Sequence, residues 1–246
     1  MQGEMMEKII FDIGSNNGDD IPYYLAKAEK VIAVEANPSL CQLIQKRFQA
    51  AINQGKLVIE NSAITAHQEN ETDFFIHKQH HVLSSLAINP AEASLYKRVR
   101  VSTTNIKNLI IKHGNPYYVK IDIEGADEEI LQSFCDHNIK PPYLSAESHT
   151  LGVFALLSEK LNYESFKLVD GKSVGKVYKN TIIEISKNAE TKPCLYSFPP
   201  HSAGPFGNDI HGDWMDKNTL LKILALQGLG WKDIHASRLD PIGIRF

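Results

Sequence analysis

The residues best suited to chemistry stand where short apolar runs stop. After Lys8–Ile13 (KIIFDI) comes the loop Gly14-Ser15-Asn16-Asn17-Gly18. Glycine lets a backbone turn sharply and lie flat against a ligand, and asparagine is the next best residue at left-handed angles. Asp12, just upstream, can hold this loop through backbone amides or face a ligand's amino group. Glu35 ends the next run, KVIAVE, 21 residues beyond Gly14, where an acid suits paired hydrogen bonds to ribose hydroxyls. Ser15 and Ala36 complete the expected contacts. Neither GxGxxG nor GxxxxGK[ST] occurs here, so the phosphate cradles of dinucleotide and NTP sites are missing. A ribose acid without a phosphate loop points to a phosphate-free nucleoside, and S-adenosylmethionine fits that description.

A second group of polar residues lies further along. In Tyr117–Glu124 a period of two puts Tyr118, Lys120, Asp122 and Glu124 on one face and Val119, Ile121 and Ile123 on the other. A lysine in the middle of a covered strand must be paired or reach solvent, with Asp12 and Asp122 the expected partners. Glu147 and His149 (SAESH) close the next strand. His149 is the best-placed imidazole for general-base work, and Glu147 can orient it or substitute for it. His80 and His81, in a loop with Ser84 and Ser85, rank second. Asp122, Glu124 and Glu147 could together hold a hard divalent cation, but the chemistry expected here requires no metal.

These residues need a frame that gathers strand ends. Apolar runs at Lys8–Ile13, Lys30–Glu35, Lys56–Glu60, Tyr117–Ile123 and Pro142–Glu147 alternate with helical stretches such as Asp20–Lys27, Asn105–Lys112 and Ala126–His137. Asn37 and Pro38 open a further helix by capping and first-turn geometry. The pattern predicts a doubly wound, mostly parallel α/β sheet. Phe166–Val169 followed by Thr181–Ser186, with no helix between, predicts one antiparallel strand at its end. Residues 1–186 are expected to form the nucleoside-binding domain and 187–246 a cap on it. In that tail Phe198, Phe206, Trp214 and Trp231 offer flat surface for an acceptor, and Gly204, Pro205 and Gly207 have the turn chemistry of a lid.

The composition is ordinary for a globular chain, 43% hydrophobic and 22% charged, which excludes a disordered or collagen-like polymer. A net charge of -3 supplies no field for nucleic acid or anionic membrane. No apolar stretch has the length of a membrane span, and the first residues lack a signal-peptide core. Cys41, Cys135 and Cys194 form no metal-ligand spacing or disulfide framework. The expectation is a cytoplasmic protein acting on a small molecule. Nothing in the sequence bears on its oligomeric state.

FDIGSNNG, VIAVEANP and YVKIDIEGADEEIL together resemble the FkbM family of S-adenosylmethionine-dependent methyltransferases, and SAGPFGNDIHGDW with GWKDIHA is similar to that family's closing segment. The resemblance implies a class I, Rossmann-like methyltransferase fold. It also implies that Asp12, Gly14, Asn16 and Gly18 form the methionine-side loop, that Glu35 binds the ribose, that Ser62 and Ala63 border the adenine, and that Asp122 lies beside the methyl group. Most of the family methylates oxygen on sugars and natural products. The expected reaction is therefore in-line methyl transfer to a hydroxyl, with His149 as base. N-methylation and a non-catalytic nucleoside-binding module remain the alternatives. A nicotinamide-dependent oxidoreductase would need the missing GxGxxG.

Overall fold

Alternation along the first strand sets the plan of the molecule, a computed structural model that describes residues 7–66, 70–187, 190–240 and 242. In β1 (Ile9–Ile13) the side chains of Ile9, Phe11 and Ile13 enter one apolar layer, while Ile10 enters the other. Next in the chain are α1 (Ile21–Lys27), β2 (Lys30–Val34), α2 (Pro38–Arg47), α3 (Gln49–Asn53) and β3 (Leu57–Glu60). The Asn37 side chain caps α2 by accepting from the Ser39 amide, and Pro38 fills the first turn.

A small sheet of β4 (Ala63–Ile64), β5 (Glu71–His77) and β6 (Tyr96–Thr104) precedes α4 (Ile106–His113) and β7 (Tyr118–Ile121). Then come α5 (Asp127–Asp136), β8 (Tyr143–Ser148), α6 (Leu151–Ala155), β9 (Ser165–Asp170), α7 (Val174–Val177), the hairpin β10 (Thr181–Lys187) and β11 (Glu190–Tyr196), α8 (Lys217–Gln227) and β12 (Gly230–Ser237).

The main sheet has seven strands in the order β3-β2-β1-β7-β8-β12-β9, parallel except for β12. This is the doubly wound class I methyltransferase arrangement that was expected. Its order reverses between β1 and β7, and ligands of such sheets bind in the crevice at that switch point. One layer packs α4, α5, α6 and α8 on the sheet, and the other packs α1, α2 and much of the tail.

The antiparallel strand is not the expected one. Thr181–Lys187 leaves the main sheet and pairs only with β11, whereas Gly230–Ser237 runs between β8 and β9. Tail residues 230–237 are therefore part of the sheet rather than of a cap. The segment Ser202–Gly207 is also buried. Phe206 stacks on Tyr118 at 4.1 Å, and both Phe198 and Trp214 lie in the same core layer. Those three rings cannot serve an acceptor, and Gly204-Pro205-Phe206-Gly207 is a core plug rather than a lid.

The plug is tied down by α1. Asp20 does not cap that helix; its carboxylate instead accepts from the Ser202 hydroxyl and the Ala203 amide. Tyr23 donates to Asp209 at 2.8 Å and accepts from the Phe206 amide.

Candidate functional site

At the switch point the chain turns out of β1 through Gly14, whose φ of +81° belongs to glycine, and Asn16 follows in the left-handed region. Glu35 lies where β2 ends. Its carboxylate accepts from the Asn16 amide at 2.8 Å and the Asn37 amide at 2.7 Å, so one acid fixes both turns. Burial pushes its pKa up to about 7. Asn61, which sequence spacing did not single out, donates to the carbonyls of Glu35 and Ala36 and locks the same corner.

A cavity of about 460 Å³ opens here, lined on one side by Gly14, Asn16, Glu35, Ala36, Ser62 and Ala63. Leu40, Ile64, Phe74 and Leu86 give that side an apolar floor. Phe74 and Leu86 could not be read as site residues, because only the pairing of β5 with β6 and the loop after it brings them in. Asp122, Glu124, Glu147 and His149 also line the cavity, as do residues 81–86.

Asp12, Ser15 and Gly18 lie outside the lining. Ser15 donates to the Asp12 carbonyl, and Gly18 packs against α1 and α2, so both shape the loop from below. Asp12 is fully buried and faces Lys120, 3.6 Å away. The Lys120 ammonium also meets Asp122 at 3.0 Å, Asp20 at 3.9 Å and the Gly14 carbonyl at 3.2 Å. Burial works against that ammonium, but Asp122, Asp12 and Asp20 more than offset it and raise its pKa well above the ordinary lysine value. The partners expected for Lys120 are thus present, and Asp20 joins them.

His149 Nε2 lies 2.7 Å from Glu147 Oε2. Burial first, then Asp122 and Glu124, push the Glu147 carboxyl up to about 8. Of the second-ranked histidines, His81 reaches the lining whereas His80 does not. Of the tail aromatics, only Trp231 does, with His201 stacked on it at 5.7 Å.

The donor set fits a nucleoside cation. The Asn16 side-chain oxygen and the Ser62 hydroxyl are buried without a protein partner, and both residues face the cavity. Buried polar groups of this kind need a partner, and the hydroxyls and nitrogens of an adenosine supply them. The carboxyl groups that share the cavity suit a ligand carrying ammonium and sulfonium charge. The described residues contain no His, Cys, Asp or Glu group arranged to hold a metal. No described helix is long and apolar enough to cross a membrane.

Solved structures similar to this chain include methyltransferase FkbM from Methylobacillus flagellatus KT, at 16% identity and a TM-score of 0.43 over 66% of this chain and 39% of that one. A SAM-dependent O-methyltransferase from Thermotoga maritima matches at 9% identity and a TM-score of 0.40, over 98% of this chain and 61% of the other. Precorrin-6y C5,15-methyltransferase from Geobacter metallireducens GS-15 matches at 11% identity and a TM-score of 0.36, over 78% and 76%. The chain thus spans 39% of the length of the Methylobacillus protein. No protein of curated function matches it. The sequence profile of the Methyltransferase FkbM domain covers residues 12–166, from the Asp12 loop through β8 and into β9. That span holds every residue of the crevice corner together with Asp122, Glu124, Glu147 and His149, and on it the chain belongs to the FkbM family of S-adenosylmethionine-dependent methyltransferases.

Proposed function

We propose that the protein methylates a hydroxyl of a small acceptor, a sugar or natural product, at the expense of S-adenosylmethionine. The observation that carries this reading is the 2.7 Å contact between His149 and Glu147 on the cavity wall that also holds Asp122. The cofactor supplies an electrophilic methyl on a cationic sulfur, which keeps the electron pair of the broken S–C bond as a neutral thioether. A neutral hydroxyl is a poor nucleophile, so the protein must align it and take its proton as the O–C bond forms.

With Glu147 ionised, His149 Nε2–H is held by that carboxylate and Nδ1 is left to accept the proton. Glu147 then stabilises the imidazolium it has oriented, the logic of a base with a third orienting group. Glu35, Asn16 and Ser62 are assigned to the ribose and adenine. Gly14 and Asp122 are assigned to the methionine side, with Asp12, Ser15, Gly18 and Lys120 positioning them.

The test is methyl transfer against pH with acceptor present. Because Glu147 starts near 8, and a carboxylate orients the base only when ionised, kcat/KM should rise with pH up to about that value. Glu147→Gln should flatten this rise, and His149→Ala should lower kcat by about a hundredfold or more. A His149→Ala rate within about threefold of wild type would remove His149 as the base. Methyl found on nitrogen would replace O-methylation. Cofactor binding without turnover on any acceptor would support the non-catalytic alternative.

A further inference from the structure

The cavity's charge is one-sided. Its lining holds the carboxyls of Glu35, Asp122, Glu124 and Glu147 and, among the described residues, no lysine or arginine. The Lys120 ammonium is committed to Asp122, Asp12 and Asp20. Further acids stand behind Glu147. Asp233 pairs with it in strand register and is 3% exposed. Asp127 is equally buried, and neither of its carboxyl oxygens has a hydrogen-bond partner. Burial, and then the other acids, raise Glu124 and push Asp127 and Glu147 up to about 8 each. Acids raised in this way hold their protons near neutrality, and a cationic group placed among them favours their ionised forms.

The acceptor side also contains an aromatic ring set there by a break in the sheet. Between the pairs Gly230↔Ser148 and Asp233↔Glu147, β12 carries extra residues, among them Trp231. Bulges of this kind re-aim side chains and recur beside active sites, and here the bulged tryptophan lines the cavity. Gly171 makes room for it, since a Cβ there would stand 2.2 Å from the indole nitrogen. An aromatic ring in the same cavity as carboxylates, with no lysine or arginine in the described lining, is a composition that recognises ammonium groups.

We infer that the acceptor bears an ammonium group, met by Glu124 and Trp231, and that the cavity rejects acceptors carrying phosphate or carboxylate. The acceptor class is then amino sugars or amine-bearing natural products, with the reacting hydroxyl presented to His149. A phosphate at the same place would face acids with no lysine or arginine in the described lining, a juxtaposition that opposes binding. This inference rests on the methyl-transfer reading above.

The acceptor need not be identified before the test. A small-molecule extract of the source cells is separated into cation-exchange-retained, anion-exchange-retained and unretained fractions. Each is incubated with the protein and methyl-tritiated S-adenosylmethionine. Label in the cation-exchange fraction is expected. Label confined to the anion-exchange or unretained fraction overturns the ammonium assignment and leaves methyl transfer standing. Label in no fraction overturns both. With the labelled acceptor purified, Glu124→Gln should raise its KM about tenfold or more, with kcat changing less than about threefold and Glu124→Asp recovering most of the loss. An unchanged KM in Glu124→Gln overturns the role of Glu124.

Discussion

A Cβ on Gly14 would stand 1.8 Å from the carbonyl oxygen of Asp122. The loops after β1 and β7 therefore touch backbone to backbone, and this contact sets the width of the crevice. Gly14→Ala would have to push the two strand ends apart and would hold alanine at a φ of +81°. The positive φ alone costs roughly 1–2 kcal/mol. The expected outcome is a protein that still folds but melts lower and binds S-adenosylmethionine about tenfold or more weakly. Calorimetric titration beside a melting curve checks it, and wild-type affinity in the variant would show that the contact does not shape the site.

Glu35 serves the protein and the ligand at once. Its oxygens already accept from Asn16 and Asn37 amides, and each has a lone pair left for a ribose hydroxyl. Glu35→Gln keeps the shape but replaces one acceptor oxygen with a donor aimed at an amide. A loss of about tenfold or more in affinity for S-adenosylmethionine is expected, together with a smaller drop in melting temperature. Affinity indifferent to this change would remove Glu35 from the binding site.

Stability should fall as pH rises through neutrality. Burial pushes Asp20 up to about 6, Glu35 to about 7, and Asp127 and Glu147 to about 8. Unfolded, these carboxyls titrate near about 4, so between those values the folded chain holds more protons than the unfolded one. Their contribution is thus complete below the unfolded pKa, declines as pH rises above it, and is gone once pH has passed the folded values, the last of them at about 8. The melting temperature of the ligand-free protein should drop by several degrees over that window, and Asp127→Asn should reduce the drop. A profile that rises towards pH 8 would contradict these assignments.

Phe206 separates plug from lid. It stacks on Tyr118 at 4.1 Å and meets Tyr23 edge-on at 5.7 Å. Phe206→Ala should cost about 3–5 kcal/mol of stability as a core cavity. A mobile cover would lose almost nothing. Limited proteolysis gives the second check, since a buried plug should resist cleavage between residues 202 and 207 with and without ligand.

Much of the site was legible because its signals are local. The loop Gly14–Gly18, the acid at Glu35 and the two faces of the Tyr118 strand follow from spacing and a period of two; Gly14, Asn16 and Glu35 line the cavity, whereas Ser15 and Gly18 lie behind it. The partners of Lys120 followed from the cost of burying an ammonium. What escaped is set by contacts distant in sequence. GPFG has the same turn chemistry in a lid as in a plug, and only Asp20 and Tyr23, some 180 residues upstream, decide between them. Thr181–Ser186 reads as the last strand of the main sheet and residues 230–237 as part of the cap, yet the second lies beside β8 because a hairpin removes the first. Of four aromatic tail residues, Trp231 alone reaches the cavity, and the bulge that turns it appears in no local pattern.

The position of β12 also imposes an order on synthesis. Ser165–Asp170 pairs with the main sheet only through Gly230–Ser237. The strands that carry the nucleoside corner can associate once β8 has emerged from the ribosome. The far edge must wait until residue 237 has been made, with the exposed sides of β8 and β9 unpaired in the meantime. Such edges invite association with other chains. A nascent chain arrested near residue 215 should therefore be the most aggregation-prone stage in the life of this protein, and a chaperone that covers open strands should matter more during its translation than after release.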